Sequence, residues 1–415
     1  MDRVVLKFGG TSVMDPERII NAAKIALDHA SSGTQVVVVV SAMGHTTDRL
    51  IELAEDVCSD PGSKELDILM ATGEQAAASL MTMAIGKLGG QAQCFTGAMA
   101  GIITDNNHGD ARIKRIETRS LESCLKRGIM PVVAGFQGVS EDGEITTLGR
   151  GGSDTTAIAL AAYLHAKRCD IYSDVNGVYS SDPRLVPQAR KLDSISYIEM
   201  LELADHGAQI LNPRSVQIAM DRNVHVRVRS TFAPEDQGTL VTEHAKQLSL
   251  FTGISCDTKR ESFVVSLGMP AGDSANLRRF RERRLHWKNG LIKMFAANGI
   301  DFEPGYFLKH NPRLMVFAID KKHIERAKAV ILQASNGMRN LSAETRTGMG
   351  CVSIVSADNS SVIEVEAILT LTRLGIPISF MTRSFNRFSL FVPESHMHNA
   401  LVALHSNRSL LAKAA

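Results

Sequence analysis

The sequence contains little that would place the protein in a membrane, in an oxidising compartment or on nucleic acid. Its six cysteines are scattered, as free thiols are, and no two have the spacing of a zinc site or a disulfide framework. The apolar run at residues 36–40 is too short to span a bilayer, and no signal-peptide pattern precedes the first strand. The net charge of +2 gives no general attraction to polyanions. We therefore expect a cytoplasmic protein that binds neither membranes nor nucleic acid.

Several catalytic signatures are also absent. The P-loop pattern GxxxxGK[ST] does not occur, and no Ser-His-Asp arrangement is apparent. The 13 histidines are dispersed, so no metal-ligating cluster is predicted. The chain nevertheless has 415 residues, 44% of them hydrophobic, which is enough for two or three domains with substantial cores.

The first 245 residues alternate between strand and helix patterns. Runs such as the five valines at 36–40 have no polar alternation, which is typical of strands buried on both faces of a parallel sheet. The pattern predicts a three-layer αβα fold with a mainly parallel sheet for residues 1–245. Strands are predicted at 4–6, 36–40, 129–134, 170–173 and 224–229, and helices at 16–28, 48–57, 66–88 (interrupted at 71–73) and 153–166.

The remaining residues contain a weak internal repeat. The order strand, helix, strand, strand, helix occurs twice, which predicts two ferredoxin-like α+β modules at 250–335 and 345–415. The basic stretch 277–293 is interpreted as a helix followed by a solvated insertion. Nucleic-acid binding there is disfavoured, because no matching basic face occurs elsewhere.

The segment KFGGTSV follows the first predicted strand. Gly9 and Gly10 would let backbone N–H groups approach an anion, and Lys7 would supply a compact positive charge for phosphoryl oxygens. A simple turn is the alternative, and this segment alone does not decide between them.

The segment TTLGRGGSDTTA, residues 146–157, is more informative. Ser153 or Asp154 could cap the alanine-rich helix that follows, but a cap does not require three glycines and an arginine. A glycine-rich loop that leads into a helix N-terminus forms an anion site, and Arg150 beside it can bind a carboxylate with two parallel hydrogen bonds.

Other polar residues follow predicted strands. YSDVNGVYSSDPR, residues 172–184, is either an ordinary loop or a ligand-binding loop, since open α/β sheets bind ligands at the carboxyl ends of their strands. Ser41 follows the valine run, with Thr47 shortly after it. Glu74 alone would be interpreted as a solvated surface residue.

Taken in order, KFGGTSV, SAMGHTTD, ATGE, AGFQG, TTLGRGGSDTTA, SDVNGVYSSDPR and MLELADHGAQIL resemble the aspartate kinases. The resemblance covers residues 1–245, and the two modules resemble, more loosely, the tandem ACT domains that follow such kinase domains. It implies ATP- and Mg²⁺-dependent phosphorylation of the side-chain carboxylate of L-aspartate, the first step towards lysine, threonine and methionine. It also implies a homodimer or larger assembly formed through the ACT-like modules.

The resemblance assigns roles position by position. The residues implied to be catalytic are Lys7 and Asp154, and those implied to bind aspartate are Thr47, Glu74, Arg150, Gly151, Gly152 and Ser153. The residues implied to bind ATP are Phe8, Gly9, Gly10, Ser41, Ser173, Asp174, Tyr179, Asp182, Pro183, Arg184 and Gln209. No protein side chain is assigned as a dedicated metal ligand.

The sequence departs from the family pattern at several points. The family segment GAKxLHPR reads GAQILNPR here, so that Gln209 replaces a lysine and removes a charge that would face nucleotide phosphates. The effector loops differ as well, at 268–272 and 357–361, from which we expect altered or lost feedback inhibition by lysine and threonine. Two alternatives remain open: a non-catalytic amino-acid sensor with a degenerate kinase domain, or a kinase for an aspartate analogue.

Overall fold

The computed structural model describes residues 2–245, 249–267, 277–306, 314–335, 341–357, 361–407 and 410. They form two compact units. The first comprises 1–179, 191–204 and 209–246, and the second comprises 180–190, 205–208 and 247–415. Two short segments that lie within the first 245 residues of the sequence therefore belong to the second unit.

The first unit is built around a mainly parallel sheet, as predicted. Its strands are β1 (Arg3–Phe8), β2 (Gln35–Val40), β3 (Ala92–Phe95), β4 (Ile102–Thr104), β5 (Ile113–Ile116), β6 (Met130–Ala134), β7 (Gln137–Ser140), β8 (Ile145–Thr147), β9 (Arg168–Ser173), β10 (Ser194–Ser196), β11 (Val226–Ser230) and β12 (Thr239–Thr242). Its helices are α1 (Pro16–Ser31), α2 (Thr46–Val57), α3 (Ser63–Lys87), α4 (Arg119–Lys126), α5 (Gly152–Tyr163), α6 (Tyr197–Asp205) and α7 (Pro213–Asp221).

The large sheet has the order β10-β12-β11-β9-β1-β2-β6-β3. Its strands from β11 to β3 run parallel, so their carboxyl ends share one edge. Alternate side chains of β1 and β2 pack against the alanines of α1 and α3 on one face, while α5 packs against the other face. The predicted three-layer αβα architecture is confirmed. A separate four-stranded sheet, β5-β4-β7-β8, was not predicted.

The predicted interruption of the third helix around Gly73 is wrong. The helix α3 runs unbroken from Ser63 to Lys87. A Cβ at Gly73 would lie 3.0 Å from Ala42 Cβ, so the glycine permits close packing rather than ending the helix. α3 also has the length and hydropathy of a membrane span, the one such helix in the described part of the chain, and half of its most apolar stretch is buried inside the protein.

The second unit contains one eight-stranded antiparallel sheet of order β13-β18-β20-β19-β15-β16-β14-β17. Its strands are β13 (Gly253–Asp257), β14 (Arg260–Leu267), β15 (Phe302–Tyr306), β16 (Leu314–Asp320), β17 (Leu341–Arg346), β18 (Met349–Val355), β19 (Phe380–Arg383) and β20 (Arg387–Pro393). Its helices are α8 (Leu277–Ala297), α9 (Ile324–Ser335), α10 (Ser361–Arg373) and α11 (Glu394–Ser406).

This sheet consists of two ferredoxin-like halves joined between β15 and β19. In the first half, β17 is the fourth strand, beside β14. In the second half, β13 takes the fourth position beside β18, although it precedes the whole first half in sequence. The two predicted modules are therefore present, but the second includes a strand from the range predicted for the first.

The expected solvated insertion in 277–293 is wrong for the described residues, which form the single helix α8. Trp287, Leu291 and Phe295 recur every four residues and are buried in the core of the first half. The effector-loop predictions concern 268–272 and 357–361, of which 268–272 and 358–360 lie outside the described residues.

Candidate functional site

Backbone hydrogen bonds tie together the loops that follow the central parallel strands. The amide of Gly9 donates to Tyr172 O (3.0 Å), the amide of Ser41 to Phe8 O (3.1 Å), and the amide of Gly135 to Val40 O (3.0 Å). The loops after β9, β1, β2 and β6 therefore meet along the carboxyl edge, where open α/β sheets bind ligands.

An ion pair between β1 and α5 lies at this edge. Lys7 Nζ is 2.7 Å from Asp154 Oδ1, and the two side chains are 10% and 13% exposed. Since strand side chains alternate, Lys7 points to the face opposite Phe8, where α5 begins with Asp154 in its first turn. The pair holds the ammonium at the end of the strand.

The two glycines of KFGG differ in the room around them. A Cβ at Gly10 would lie 2.9 Å from Ala42 O, which is too close, whereas a Cβ at Gly9 would lie 3.4 Å from the Lys7 ammonium, an ordinary contact distance. The Gly10 carbonyl also accepts from the amide of Gly44 (3.0 Å). Gly10 therefore permits close packing against the loop 42–44, and Gly9 adds no side chain beside the Lys7 ammonium.

Glu74 is buried, which contradicts its interpretation as a surface residue from sequence alone. It is 3% exposed, and its Oε1 accepts a hydrogen bond from the amide of Ala42 (3.1 Å). Its Oε2 has no hydrogen-bond partner among the described residues. Burial raises the pKa of Glu74 to about 7, although the Ala42 amide and the charge of Lys7 act in the opposite direction. A carboxylate oxygen in this state is suited to receive a cationic ligand.

The loop 148–152 presents Arg150 to solvent. Gly149 and Gly151 have φ values of +71° and +72°, a region that favours glycine, and the amide of Gly152 bonds to Gly149 O (3.0 Å). Two backbone reversals within four residues therefore lift the Arg150 side chain out of the fold, where it remains exposed.

The first turn of α5 lies directly against the sheet. A Cβ at Gly135 would lie 2.8 Å from Ser153 Cβ, so the glycine after β6 makes room for Ser153. Gly152, Ser153 and Asp154 are all buried. The positive end of the helix dipole thus points towards the carboxyl edge of the sheet, where it favours an anion.

The residues implied to bind nucleotide fall into two groups. Phe8 pairs with Tyr172, so Ser173 and the exposed Asp174 continue the edge beside Gly9, while Tyr179 donates to Asn176 Oδ1 (2.6 Å). Asp182, Pro183 and Arg184 belong to the second unit, where Arg184 forms a local ion pair with Asp182 (2.7 Å).

The last two residues implied to bind substrate or nucleotide are Gln209 and Thr47. Gln209 is an exposed residue of the first unit, just after the 205–208 segment of the second, and Thr47 lies half-buried in the first turn of α2. Within the described residues, no group of three or more His, Cys, Asp and Glu side chains is arranged to hold a metal ion.

The sequence reasoning missed Asn212 and Arg214, which contact the glycine loop. Asn212 Nδ2 donates to Arg150 O (2.8 Å), and Arg214 donates through one guanidinium nitrogen to Leu148 O (2.9 Å). The available signal was Asn212-Pro213, an N-cap followed by proline at the first helical position, which predicts the start of α7.

Comparison with known proteins agrees with this geometry. The model of the amino acid kinase family matches residues 2–230. An aspartokinase of Bacillus sp. (strain MGA3) is 41% identical over 98% of this chain and 97% of its own, and aspartokinase 2 of Bacillus subtilis is 39% identical over the same shares. The crystal structure of Escherichia coli aspartokinase III with aspartate and ADP superposes with a TM-score of 0.80 at 24% identity, covering 98% of this chain and 100% of that one. The chain therefore belongs to the amino acid kinase family and, within it, to the aspartokinases.

Proposed function

We propose that the protein transfers the γ-phosphoryl group of ATP to the side-chain carboxylate of L-aspartate, giving 4-phospho-L-aspartate. The observation that carries the proposal is the buried Oε2 of Glu74, which lacks a hydrogen-bond partner within the described part of the chain. The positive charge of Lys7 also acts on this carboxylate and favours its ionised form. Leaving a buried carboxylate oxygen without a partner costs stability, so the site is built to gain its partner from a ligand. The full-length aspartokinase relatives support the same activity.

Aspartate carries one ammonium and two carboxylates, and the site offers a complement to each. Glu74 receives the ammonium, and the exposed guanidinium of Arg150 binds the α-carboxylate in a bidentate manner. Thr47, Gly151, Gly152 and Ser153 complete the pocket, with the N-terminus of α5 favouring the bound anion.

The side-chain carboxylate is already ionised at neutral pH, so no general base is required. Catalysis then consists of alignment and charge stabilisation. Lys7, held by Asp154, neutralises charge on the transferring phosphoryl group. Gly9 lies beside the ammonium and adds no side chain there.

The family resemblance assigns ATP to Phe8, Ser41, Ser173, Asp174, Tyr179 and Gln209, all of which lie in the same unit as Lys7. The carboxylates of Asp154 and the exposed Asp174 are hard oxygen donors that fit Mg²⁺ bound chiefly by the ATP phosphates. Mg²⁺ bound in this way would neutralise phosphate charge.

The test measures ADP release with ATP and Mg²⁺, and trapping of the acyl phosphate by hydroxylamine. L-Aspartate should support both signals. Succinate, which has no ammonium group, and N-acetylaspartate, in which the amine is a neutral amide, should support neither. Lys7→Met should lower kcat by roughly 10²–10³, as is typical when a transition-state cation or donor is lost. Folded protein that releases no ADP with aspartate would disprove the assignment.

We also propose a homodimer formed through the second unit. Val365 and Leu369 on α10 are one turn apart and are 53% and 39% exposed, which provides an apolar strip for a second copy. Sedimentation equilibrium should show a dimer that Val365→Arg dissociates. A monomeric parent protein would rule this out.

A further inference from the structure

The glycine loop that carries Arg150 is held from outside by the start of α7. Asn212 Nδ2 donates to Arg150 O (2.8 Å), while Arg214 donates to Leu148 O (2.9 Å). These carbonyls lie on either side of Gly149, the first of the two positive-φ residues. The loop is neither helix nor strand at this point, and side chains from α7 hold the backbone on both sides of Gly149.

Asn212 performs two tasks with one side chain. Its Oδ1 accepts from the amide of Arg214 (2.9 Å) and caps α7, so its Nδ2 is oriented by the cap towards Arg150 O. A Cβ at Gly151 would lie 2.4 Å from Asn212 Cβ. The glycine thus allows α7 to approach the loop closely enough for this bond.

Arg214 is held in turn by Asp110. Its second guanidinium nitrogen pairs with Asp110 Oδ1 at 2.6 Å. The turn that carries Asp110 is anchored by the fully buried Asp67, which accepts from the Gly109 amide (3.1 Å) and from Thr147 Oγ1 (2.5 Å). Thr147 ends β8, so one network supports both the strand before the loop and the arginine that holds it.

We propose that Asn212 and Arg214 are positioning residues that set the place of Arg150, and so the affinity for the amino-acid substrate. This inference rests on the proposed function, because it assumes that Arg150 binds the substrate carboxylate. Neither residue is assigned to touch substrate. Both act by fixing the backbone from which the Arg150 side chain extends.

The test uses substitutions that keep α7 capped. Asn212→Ser retains a cap acceptor but loses the reach to Arg150 O, and Arg214→Lys retains a charge for Asp110 but loses the planar fork that also reaches Leu148 O. Gln217→Ala is the control on the same helix, because its side-chain amide donates to Asp221 Oδ1 (2.8 Å) on α7 itself. Loss of one hydrogen bond corresponds to about a fivefold change.

We expect Asn212→Ser and Arg214→Lys to raise the KM for aspartate about fivefold or more, with kcat and the KM for ATP within twofold of the parent. Hydrogen–deuterium exchange of the peptide 148–155 should accelerate in both variants and not in Gln217→Ala. Unchanged aspartate KM and unchanged exchange in both would overturn the inference while leaving the proposed function intact. If the parent itself shows no aspartate-dependent ADP release, the proposed function fails, and the exchange measurement still decides whether the two residues hold the loop.

Discussion

Each unit holds a glutamate that is largely shielded from solvent, Glu74 in the first and Glu303 in the second, and the two differ in whether the fold supplies their partners. In the second unit, Glu303 is surrounded by donors: His206 Nε2 (2.9 Å), Thr382 Oγ1 (2.9 Å) and Arg387 (2.8 Å), with Arg260 3.7 Å away. Burial alone would raise the pKa of Glu303, but the His206 hydrogen bond and the charges of Arg387 and Arg260 outweigh it and lower the pKa well below its usual range.

In the first unit, Glu74 has one amide partner and a second oxygen that no described residue satisfies, and burial raises its pKa to about 7. The two carboxylates therefore have different roles. Glu303 satisfies its partners within the fold, so it contributes to structure. Glu74 is incompletely satisfied until something binds, which is typical of a functional site.

The largest expected effect is on the stability of the second unit. Glu303→Ala leaves Arg260 and Arg387 buried without their shared partner, which typically costs about 3–5 kcal/mol. Urea unfolding should show the loss as a lower midpoint. A free energy of unfolding unchanged within about 1 kcal/mol would mean that Glu303 does not stabilise the second unit.

Glu74→Gln should produce the reverse result, a loss of activity without a loss of stability. A hydrogen bond to a charged group contributes about 1.5–3 kcal/mol, so kcat/KM for aspartate should fall roughly 10- to 100-fold. Steady-state kinetics beside urea unfolding measures both quantities. Activity that survives the substitution would remove Glu74 from the substrate site.

The pH dependence of stability should also distinguish the two carboxylates. The pKa of Glu74 rises from 4.5 to about 7 on folding, so its favourable contribution is complete below pH 4.5 and is lost as the pH rises through 7. The parent should therefore lose this stability between pH 5 and pH 8, whereas Glu74→Gln should not. The difference in the free energy of unfolding, variant minus parent, should rise by roughly 2–3 kcal/mol over that range. Parallel stability profiles for parent and variant would contradict the raised pKa.

The smallest expected effect concerns Gln209, where the sequence departs from the family. Gln209 is exposed, so restoring a lysine adds a screened attraction to the ATP phosphates of about 1 kcal/mol. Gln209→Lys should lower the KM for ATP about fivefold and leave the KM for aspartate unchanged. An unchanged KM for ATP would show that this position does not face the nucleotide.

Patterns with a strong local cause were predictable from sequence. The valine run of β2 is buried on both faces, and strand alternation places Lys7 on the face where α5 begins. Glu74 was not predictable as a buried residue from the residues of α3 alone, because a glutamate within a helix carries no signal of its environment.

Long-range pairing was the other limit. β13 lies beside β18, nearly a hundred residues away in sequence, because the first half of the sheet is inserted between them. The membership of 180–190 in the second unit also depends on long-range packing. Val186 is fully buried with Phe251 and Leu404, and no local sequence pattern predicts this contact. Asn212 showed its capping role in sequence, but not its second bond to the glycine loop.

The most direct test measures protons released when aspartate binds, by calorimetry in buffers of different ionisation enthalpy, with Mg²⁺ and a non-hydrolysable ATP analogue present. With a pKa of about 7, Glu74 is half-protonated at pH 7 in the free protein and must ionise to receive the ammonium. We predict release of about half a proton per site at pH 7, almost none at pH 8.5, and none from Glu74→Gln. Equal proton release by parent and variant would contradict the claim that Glu74 is kept without a partner for the substrate.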